Sequence, residues 1–450
     1  MTPTLNRDDT LRLARVSTWV QTTGGIVLLL LIGQFVSGVL LSFYYIPSVD
    51  HAHTTVSFIE KVLSSGSWIR AFHHYGSQWL SLFLFLHVVR IHFQKAYRYN
   101  IAHWVAAVLM LGLVMVAGAT GYSLPWDARA FFSTRVAEGL LGGIPFAGRG
   151  LRLWLLGGNE ISALTLSRFF ALHVLVIPFL IIAVVGWRFF RGEISNGICW
   201  KNFTAHAIAA GLVFAALSIW AAKYPAPLGP SAANLTSDYL PRPGAQFRWL
   251  YQTLKYVPGS LGSLVGVVLP GLAGLVLVSL PWLDFERLRK INKDPQQLLG
   301  GLILGTFAAL VIGMTAASYI SDRRDPRVQQ QLARQAAAEE TFRRTPFVPT
   351  LVQPDAQASL SSSNSQGAPP AYVKFCANCH GPHGEGGRQG TLRFPPLVGV
   401  AAKPRRSIDD ITRLLNDPEA YGLEPPMRSF ATKLTDQEKR EIAEWIVRLK

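Results

Sequence analysis

Charge is scarce in this sequence. Only 16% of its 450 residues are Asp, Glu, Lys or Arg, against about 25% in an ordinary soluble domain. With 50% hydrophobic residues beside it, that shortfall excludes a string of solvated globular domains and points to a bilayer. Cysteine is scarcer still. Cys199, Cys376 and Cys379 are the whole complement, too few for a disulfide framework. No short internal repeat is visible. Acidic residues are outnumbered, 27 to 43, which leaves a net charge of +16. The basic excess lies largely in loops between apolar runs, where it reads as membrane topology and lipid headgroup contact rather than nucleic-acid binding.

Long apolar runs are what the sequence has in plenty. A bilayer core takes about 20 apolar residues as helix. Seven segments qualify, at roughly 18–45, 72–94, 104–122, 166–190, 204–222, 260–283 and 298–320, here lettered A to G. The first follows a polar stretch, is too long for a signal-peptide core and shows no small-residue cleavage site, so it is expected to be retained. Basic residues before A (Arg7, Arg12, Arg15) and after B, D and F (Arg90, Lys95, Arg98; Arg188, Arg191, Lys201; Arg287, Arg289, Lys290, Lys293) mark one side of the membrane. The positive-inside rule makes that side cytoplasmic. An odd number of spans then puts the C-terminus outside. Beyond G come a charged Ala/Gln-rich stretch, a Pro/Ser/Gln-rich linker with a mean reach of about 25–30 Å, and a small domain. The expected fold class is all-α: a seven-span helical bundle followed by a small α-helical domain.

The small domain carries the most specific local motif. Cys376-Ala377-Asn378-Cys379-His380 is the Cys-x-x-Cys-His pattern in which two thiols add to the vinyl groups of a c-type haem and the adjacent His becomes an axial iron ligand. A zinc site would want two further ligands, and the domain offers only His383 beyond the motif. Met427 is the domain's one Met and is expected to supply the sixth ligand. The Thr435–Leu449 stretch has helical periodicity, with Ile442, Trp445 and Ile446 on one face. The domain resembles a small class I cytochrome c, with Pro395-Pro396-Leu397 in the haem wall.

Segment B holds His73 and His87, fourteen residues apart. That is about 21 Å of helix rise and nearly four whole turns, so both imidazoles point the same way at two depths. His74 is turned away by about 100°. Ionisable residues inside a membrane are functional candidates by default. Segment D supplies His173, near the same end of its span as His73, and the two are placed to clamp one haem. Arg70 is placed to meet a propionate. Gly24 and Gly38, also fourteen apart on segment A, offer flat faces to porphyrin edges.

Segments A to G resemble the cytochrome b of quinol-oxidising bc complexes. Four patterns carry the likeness in order: Arg70-Ala71-Phe72-His73, His87-Val88-Val89-Arg90, Thr120-Gly121-Tyr122-Ser123-Leu124-Pro125-Trp126-Asp127, and Leu166-Ser167-Arg168-Phe169. Tyr239-Leu240-Pro241-Arg242-Pro243 with Leu250-Tyr251-Gln252 is similar to the quinol-loop region of the family's C-terminal half. The resemblance covers about residues 10–320. It implies a four-helix haem-binding domain (1–195), a three-helix subunit IV-like region (196–322), a charged helix and linker (323–370) and a cytochrome c domain (371–450). It further implies quinol as substrate near Tyr122, Pro125 and Trp126, haem b on His73 and His173, and haem c on Cys376, Cys379, His380 and Met427. Expected partners are membrane lipid, a Rieske iron–sulfur protein, other complex subunits, a soluble or membrane electron acceptor, and a second copy in a homodimeric core. The expected location is a bacterial inner membrane, with the N-terminus cytoplasmic and the cytochrome c domain periplasmic.

The sequence departs from the family at two places. The family's second helix D histidine should fall fourteen or fifteen residues after His173, where Trp187 and Arg188 stand. An inner haem on His87 then has three possible fates: absent, with Trp187 in its space; bound with one protein ligand; or bound with a distant His92, His103 or His206. The family's Pro-Glu-Trp-Tyr signature is replaced by Pro243-Gly244-Ala245-Gln246, which removes the carboxylate that takes a quinol proton. Asp127 and Asp238 are the candidates to stand in. The family's third haem needs a helix A Cys, and Thr22-Thr23-Gly24-Gly25 has none; Cys199 is expected to be an ordinary thiol. Two functional expectations result: a quinol:cytochrome c oxidoreductase subunit, or a non-bifurcating electron conduit or structural haem subunit of a larger complex. A transporter is disfavoured, because the intramembrane polar residues are haem-spaced histidines.

Overall fold

Apolar runs of this length leave the backbone one way to satisfy its N–H and C=O groups in lipid, which is to close them within a helix. The computed structural model describes residues 22–158, 160–190, 200–232, 239–283, 294–347, 368–381, 383–389, 392–400, 407–421, 430–431 and 434–449. Arg7, Arg12, Arg15, Arg191, Cys199, Asp238, Arg287, Arg289, Lys290, Lys293 and Met427 lie outside the described residues. The chain forms two compact units, divided between Val348 and Pro349.

In the first unit α1 is Thr23–Ser42, α2 is Ala52–Lys61, α3 is Gly66–Phe93, α4 is Ile101–Tyr122, α5 is Ala128–Gly142 and α6 is Gly148–Leu156. Helix α7 joins Ala163–Ala171 to Ile177–Phe190 through one wide π turn, Leu172–Val176. Then follow α8 (Trp200–Lys223), α9 (Ala245–Lys255), α10 (Gly259–Trp282), α11 (Pro295–Arg324) and α12 (Pro326–Arg344). By length and composition α1, α4, α7, α8, α10 and α11 are apolar enough to cross a membrane. Helix α3 is equally long at 28 residues but carries Arg70, His73, His74, His87, Arg90 and His92, so composition alone does not select it. It packs between α1 and α4 and runs with them.

The buried core reflects that arrangement. Ile26, Leu30, Phe72, Leu84, Val114 and Leu217 form one cluster from α1, α3, α4 and α8. Val88, Ile91, Trp104, Leu277 and Leu304 form a second from α3, α4, α10 and α11. Outward-facing Leu82, Phe179, Leu212 and Leu275 are more than half exposed, as residues in contact with lipid tails are. Buried charges at the end of α11 are paired. Asp322, near the end of α11, accepts both Arg242 Nη2 at 2.8 Å and Arg248 Nη2, while Arg248 Nε donates to Ser318 Oγ at 3.1 Å.

The second unit is small. Its described elements are α13 (Pro370–Phe375), α14 (Ala377–His380), a two-stranded antiparallel ribbon of β1 (Gly387–Gln389) and β2 (Leu392–Phe394), α15 (Ile408–Asn416) and α16 (Asp436–Arg448). Capping boxes at Ser407/Asp410 and Thr435/Glu438 start the last two helices. Tyr372, Ile411, Leu415, Ile442 and Ile446 form its core. Apart from the short ribbon the regular elements among the described residues are helical, as expected from the sequence.

Two cations share one buried carboxylate at Asp322, so its removal leaves both uncompensated. Asp322→Ala is expected to lower stability by about 3 kcal/mol, read as a fall in thermal unfolding temperature in detergent. An unchanged midpoint would contradict this account of the cluster.

Candidate functional site

The intramembrane histidines fall into pairs. His73 on α3 and His173 on α7 face each other with ring centroids 6.0 Å apart. His173 Nδ1 donates to the Ala117 carbonyl at 2.9 Å. His73 Nδ1 lies 2.9 Å from Ser37 Oγ, whose single proton goes to the Gly33 carbonyl at 2.7 Å. Ser37 therefore accepts from His73. Both rings carry their proton on Nδ1, and both Nε2 lone pairs are left for a metal. Metal-ligating histidines are held in this way, through the other ring nitrogen. An imidazole–metal bond of about 2 Å on each side, plus about 1 Å from nitrogen to ring centre, asks for centroids about 6 Å apart. The pair fits a single iron.

The space beside it suits a flat ligand. His73 and His173 line a cavity of about 930 Å³ together with Gly38, Val114, Pro178 and Ile181, at the upper end for a cofactor pocket. Two glycines form part of the wall. A Cβ at Gly38 would stand 3.1 Å from His73 Cε1, and one at Gly121 only 2.5 Å from His173 Cε1. The wide turn Leu172–Val176 contains His173, and such turns recur at functional sites. Arg70 lines the cavity too, but its guanidinium is engaged: Glu60 Oε2 lies at 2.7 Å and the Ala226 and Pro227 carbonyls at 3.0 and 2.6 Å.

The same cavity continues to Tyr122, Pro125, Asp127, Arg129, Gly244 and Gln246. Tyr122 Oη accepts the Gly244 N–H at 2.8 Å, which leaves its own O–H to donate. Trp126 does not line the cavity. It is buried with left-handed backbone, φ 53°, and its ring meets Phe131 edge-on at 6.1 Å. Asp127 caps α5, with Oδ1 accepting from Ala130 N at 2.9 Å and Oδ2 from Gly229 N at 3.1 Å. Arg129 pairs with Glu339 of α12. Burial works against the Arg129 charge, but Tyr122, Glu339, Asp127 and Tyr239 around it outweigh that and hold it protonated more firmly than usual. Burial pushes the Tyr239 hydroxyl up and the His53 imidazole down, His53 being bonded to the Gly229 carbonyl at 2.8 Å.

The second histidine of α3 has different company. His87 Nδ1 lies 3.0 Å from Thr23 Oγ1, and Gly24 packs beside its ring. Opposite it stands His103 from the first turn of α4, ring centroids 5.2 Å apart. Arg188 Nη2 bonds His103 Nδ1. A guanidinium only donates, so Nδ1 is the acceptor and the His103 proton sits on Nε2. This nitrogen therefore has no lone pair for iron, and the rings stand too close for a metal between them. His103 does not fit as the partner of His87. Trp187, expected as a filler of this space, is instead 40% exposed. The wide turn explains the change, since it adds one residue to the helix and brings position 188 round instead. His92 is buried, bonded to the Gln297 carbonyl at 3.0 Å and stacked on Tyr97. His206 lies against Gly25. Neither faces His87 in a described ring contact.

In the second unit, α14 carries the Cys-x-x-Cys-His motif. Cys376 is buried, and His380 Nδ1 lies 3.0 Å from the Pro395 carbonyl, which again directs Nε2 outward. Tyr372 braces the turn through a 2.7 Å bond to the Gly381 carbonyl. The Cys379 side chain and Met427 lie outside what is described.

Sequence reasoning missed Ser37, Ala117, Gly121 and Glu339. A serine four residues after Gly33 in an otherwise apolar helix was the available signal for Ser37. Gly121 lay inside a motif already singled out. Nothing local marked Glu339.

Fold and site together define an integral-membrane haem cytochrome with an appended c-type domain. Residues 9–191 match the family cytochrome b/b6/petB, 242–330 match cytochrome b(C-terminal)/b6/petD, and 368–446 match cytochrome C oxidase, cbb3-type, subunit III. The chain is 34% identical over 175 residues to the menaquinol:cytochrome c reductase cytochrome b subunit of Geobacillus thermodenitrificans, covering 38% of this chain and 78% of that one. It is 35% identical over 159 residues to cytochrome b6 of Synechococcus elongatus, covering 35% and 74%. A solved chain of a hyperthermophilic respiratory Complex III superposes with a TM-score of 0.50 at 19% identity, over 67% of this chain and 91% of that one, a likeness of fold. The chain belongs to the cytochrome b family.

Ser37 and the Ala117 carbonyl orient the facing imidazoles. Ser37→Ala is expected to weaken haem b retention about tenfold, and His173→Ala to abolish it. Both are read as a loss of b-type but not c-type signal in a pyridine haemochrome spectrum. Full b-type content in His173→Ala would contradict the pairing.

Proposed function

We propose that this protein is the electron-transfer subunit of a bc-type quinol:cytochrome c oxidoreductase, taking electrons from quinol and delivering them to its own tethered c haem. The observation that carries this reading is the pair of His73 and His173 rings, centroids 6.0 Å apart, in a cavity that runs on to Tyr122, Pro125 and Gly244. The relatives named for menaquinol oxidation support the substrate class.

In this reading His73 and His173 hold one b haem. Bound there, the haem supplies a one-electron acceptor. The chain's residues do the rest. Gly38 and Gly121 leave room for the macrocycle, Tyr122 donates its hydroxyl to a quinol oxygen, and the apolar walls exclude water. Cys376 and Cys379 would tether the c haem, and His380 and Met427 would hold its iron. The partners are a Rieske iron–sulfur protein, which takes the other quinol electron, a second copy of the chain, and an onward electron acceptor. The N-terminus is cytoplasmic and the cytochrome c domain lies across the membrane from it.

We further read the chain as holding a single b haem. Arg188, not a histidine, reaches the inner pair, and its bond to His103 takes away the lone pair a second ligand would need. With one b haem, an electron at the His73–His173 site has no inner b haem to pass to, and this is the specific observation that favours the second reading, a non-bifurcating electron conduit without quinol chemistry of its own.

The purified complex is expected to give one b haem per c haem by pyridine haemochrome, and its c haem is expected to be reduced by added quinol in an inhibitor-sensitive way. Two b haems would overturn the single-haem reading. No quinol-dependent reduction in the intact complex would overturn the quinol reading.

A further inference from the structure

The cavity has a wall group suited to take a proton and, behind it, a second one leading out. Along the Tyr122 end, the charged residues lining the cavity are Asp127 and Arg129. An arginine does not give up its proton, so the acceptor there is Asp127. Its two backbone hydrogen bonds occupy one acceptor position on each oxygen and leave others open.

Behind Asp127 stands Glu339. It comes from α12, the helix that follows the last span, most of which lies beyond the matched C-terminal family region. Asp127 Oδ2 and Glu339 Oε1 each come within 3.8 Å of one point above the Gly229 Cα. Asp127 is buried, 4% exposed, while the Glu339 side chain is 20% exposed. The two carboxylates thus flank Gly229, the inner one lining the cavity and the outer one part-exposed. Helix α12 is fastened beside them: Arg129 pairs with Glu339, Gln335 bonds both backbone groups of Leu240, and Lys61 donates to the Phe342 and Thr345 carbonyls.

We propose that Asp127 and Glu339 form a proton exit for quinol oxidation, supplying between them the carboxylate function that position 244 lacks. The proposal rests on the quinol reading above. In the step assigned, a quinol O–H breaks and an Asp127 O–H forms, while the electron goes to the one-electron acceptor that the quinol reading supplies. The proton then passes to Glu339 and on to water. Glu339 touches no substrate. It acts through Asp127 and is a relay and positioning residue. The titratable and charged groups around it are Asp127, Arg129, Tyr239 and Tyr122, with His53 beyond Gly229, Lys61 of α2 against the end of α12, and Glu340 and Arg343 along its own helix.

The test is the pH profile of quinol-dependent c-haem reduction in the intact complex. A relay carboxylate must be ionised to accept, so the wild type is expected to lose rate toward acid pH. Glu339→Gln is expected to lower kcat about tenfold, leave KM and haem b content unchanged, and remove the acid limb. Glu339→Asp is expected to restore most of the rate with a displaced limb. Asp127→Asn is expected to lose as much, with no further loss in the double variant, since the two act in series. Wild-type kcat and pH profile in Glu339→Gln would overturn the relay alone. If that variant loses its haem, an unaltered profile in Glu339→Asp would overturn it instead. A wild type inert toward quinol would remove the quinol reading, and the relay with it.

Discussion

What the ring nitrogens of a buried imidazole meet decides what the ring can do, and the two histidine pairs of the first unit differ in this. In lipid there is no water to satisfy a ring N–H, and an unpaired polar group there costs several kcal/mol. For His73 and His173 one nitrogen is satisfied by Ser37 and by the Ala117 carbonyl. The two rings stand 6.0 Å apart, centroid to centroid. For His103 the partner is Arg188. The two pairs thus differ in what Nδ1 meets, an oxygen in the first and a guanidinium at His103 in the second.

This division runs along α3. Its two histidines are one chemical type on one helix face, yet they differ in what the neighbouring helices bring to them. Near His73, α1 and α4 contribute glycines and a carbonyl. Near His87, α4 contributes a second imidazole and α7 a cation. The asymmetry matches the cavity, which opens on the His73 side and continues to the Tyr122 end of α4.

Much of this was legible in the sequence, for physical reasons. Lipid leaves little choice of secondary structure, so apolar runs located the helices to within a few residues. Fourteen-residue spacing put His73 and His87 on one face because helical geometry is rigid. The Cys-x-x-Cys-His motif is local and needs no tertiary context. What was not legible depends on contacts between segments far apart in the chain. The meeting of His103 with Arg188 joins residues 85 apart, and that of Arg129 with Glu339 joins residues 210 apart. No periodicity encodes either. The exposure of Trp187 was missed because the spacing rule assumed an unbroken α-helix.

The wide turn at Leu172–Val176 has a wider meaning. Helix α3 takes fourteen residues from His73 to His87, and α7 takes fifteen from His173 to Arg188 for the matching distance. The turn stores the surplus residue as a bulge, so the lower half of α7 keeps its docking against α4 despite the odd count. A helix with such a bulge can absorb an inserted residue without turning its far end out of the bundle. Sequence distance and spatial distance are thereby uncoupled at one point, next to the iron-facing imidazole. The far end of α7 can change its chemistry, histidine to arginine, while the near end stays where it is.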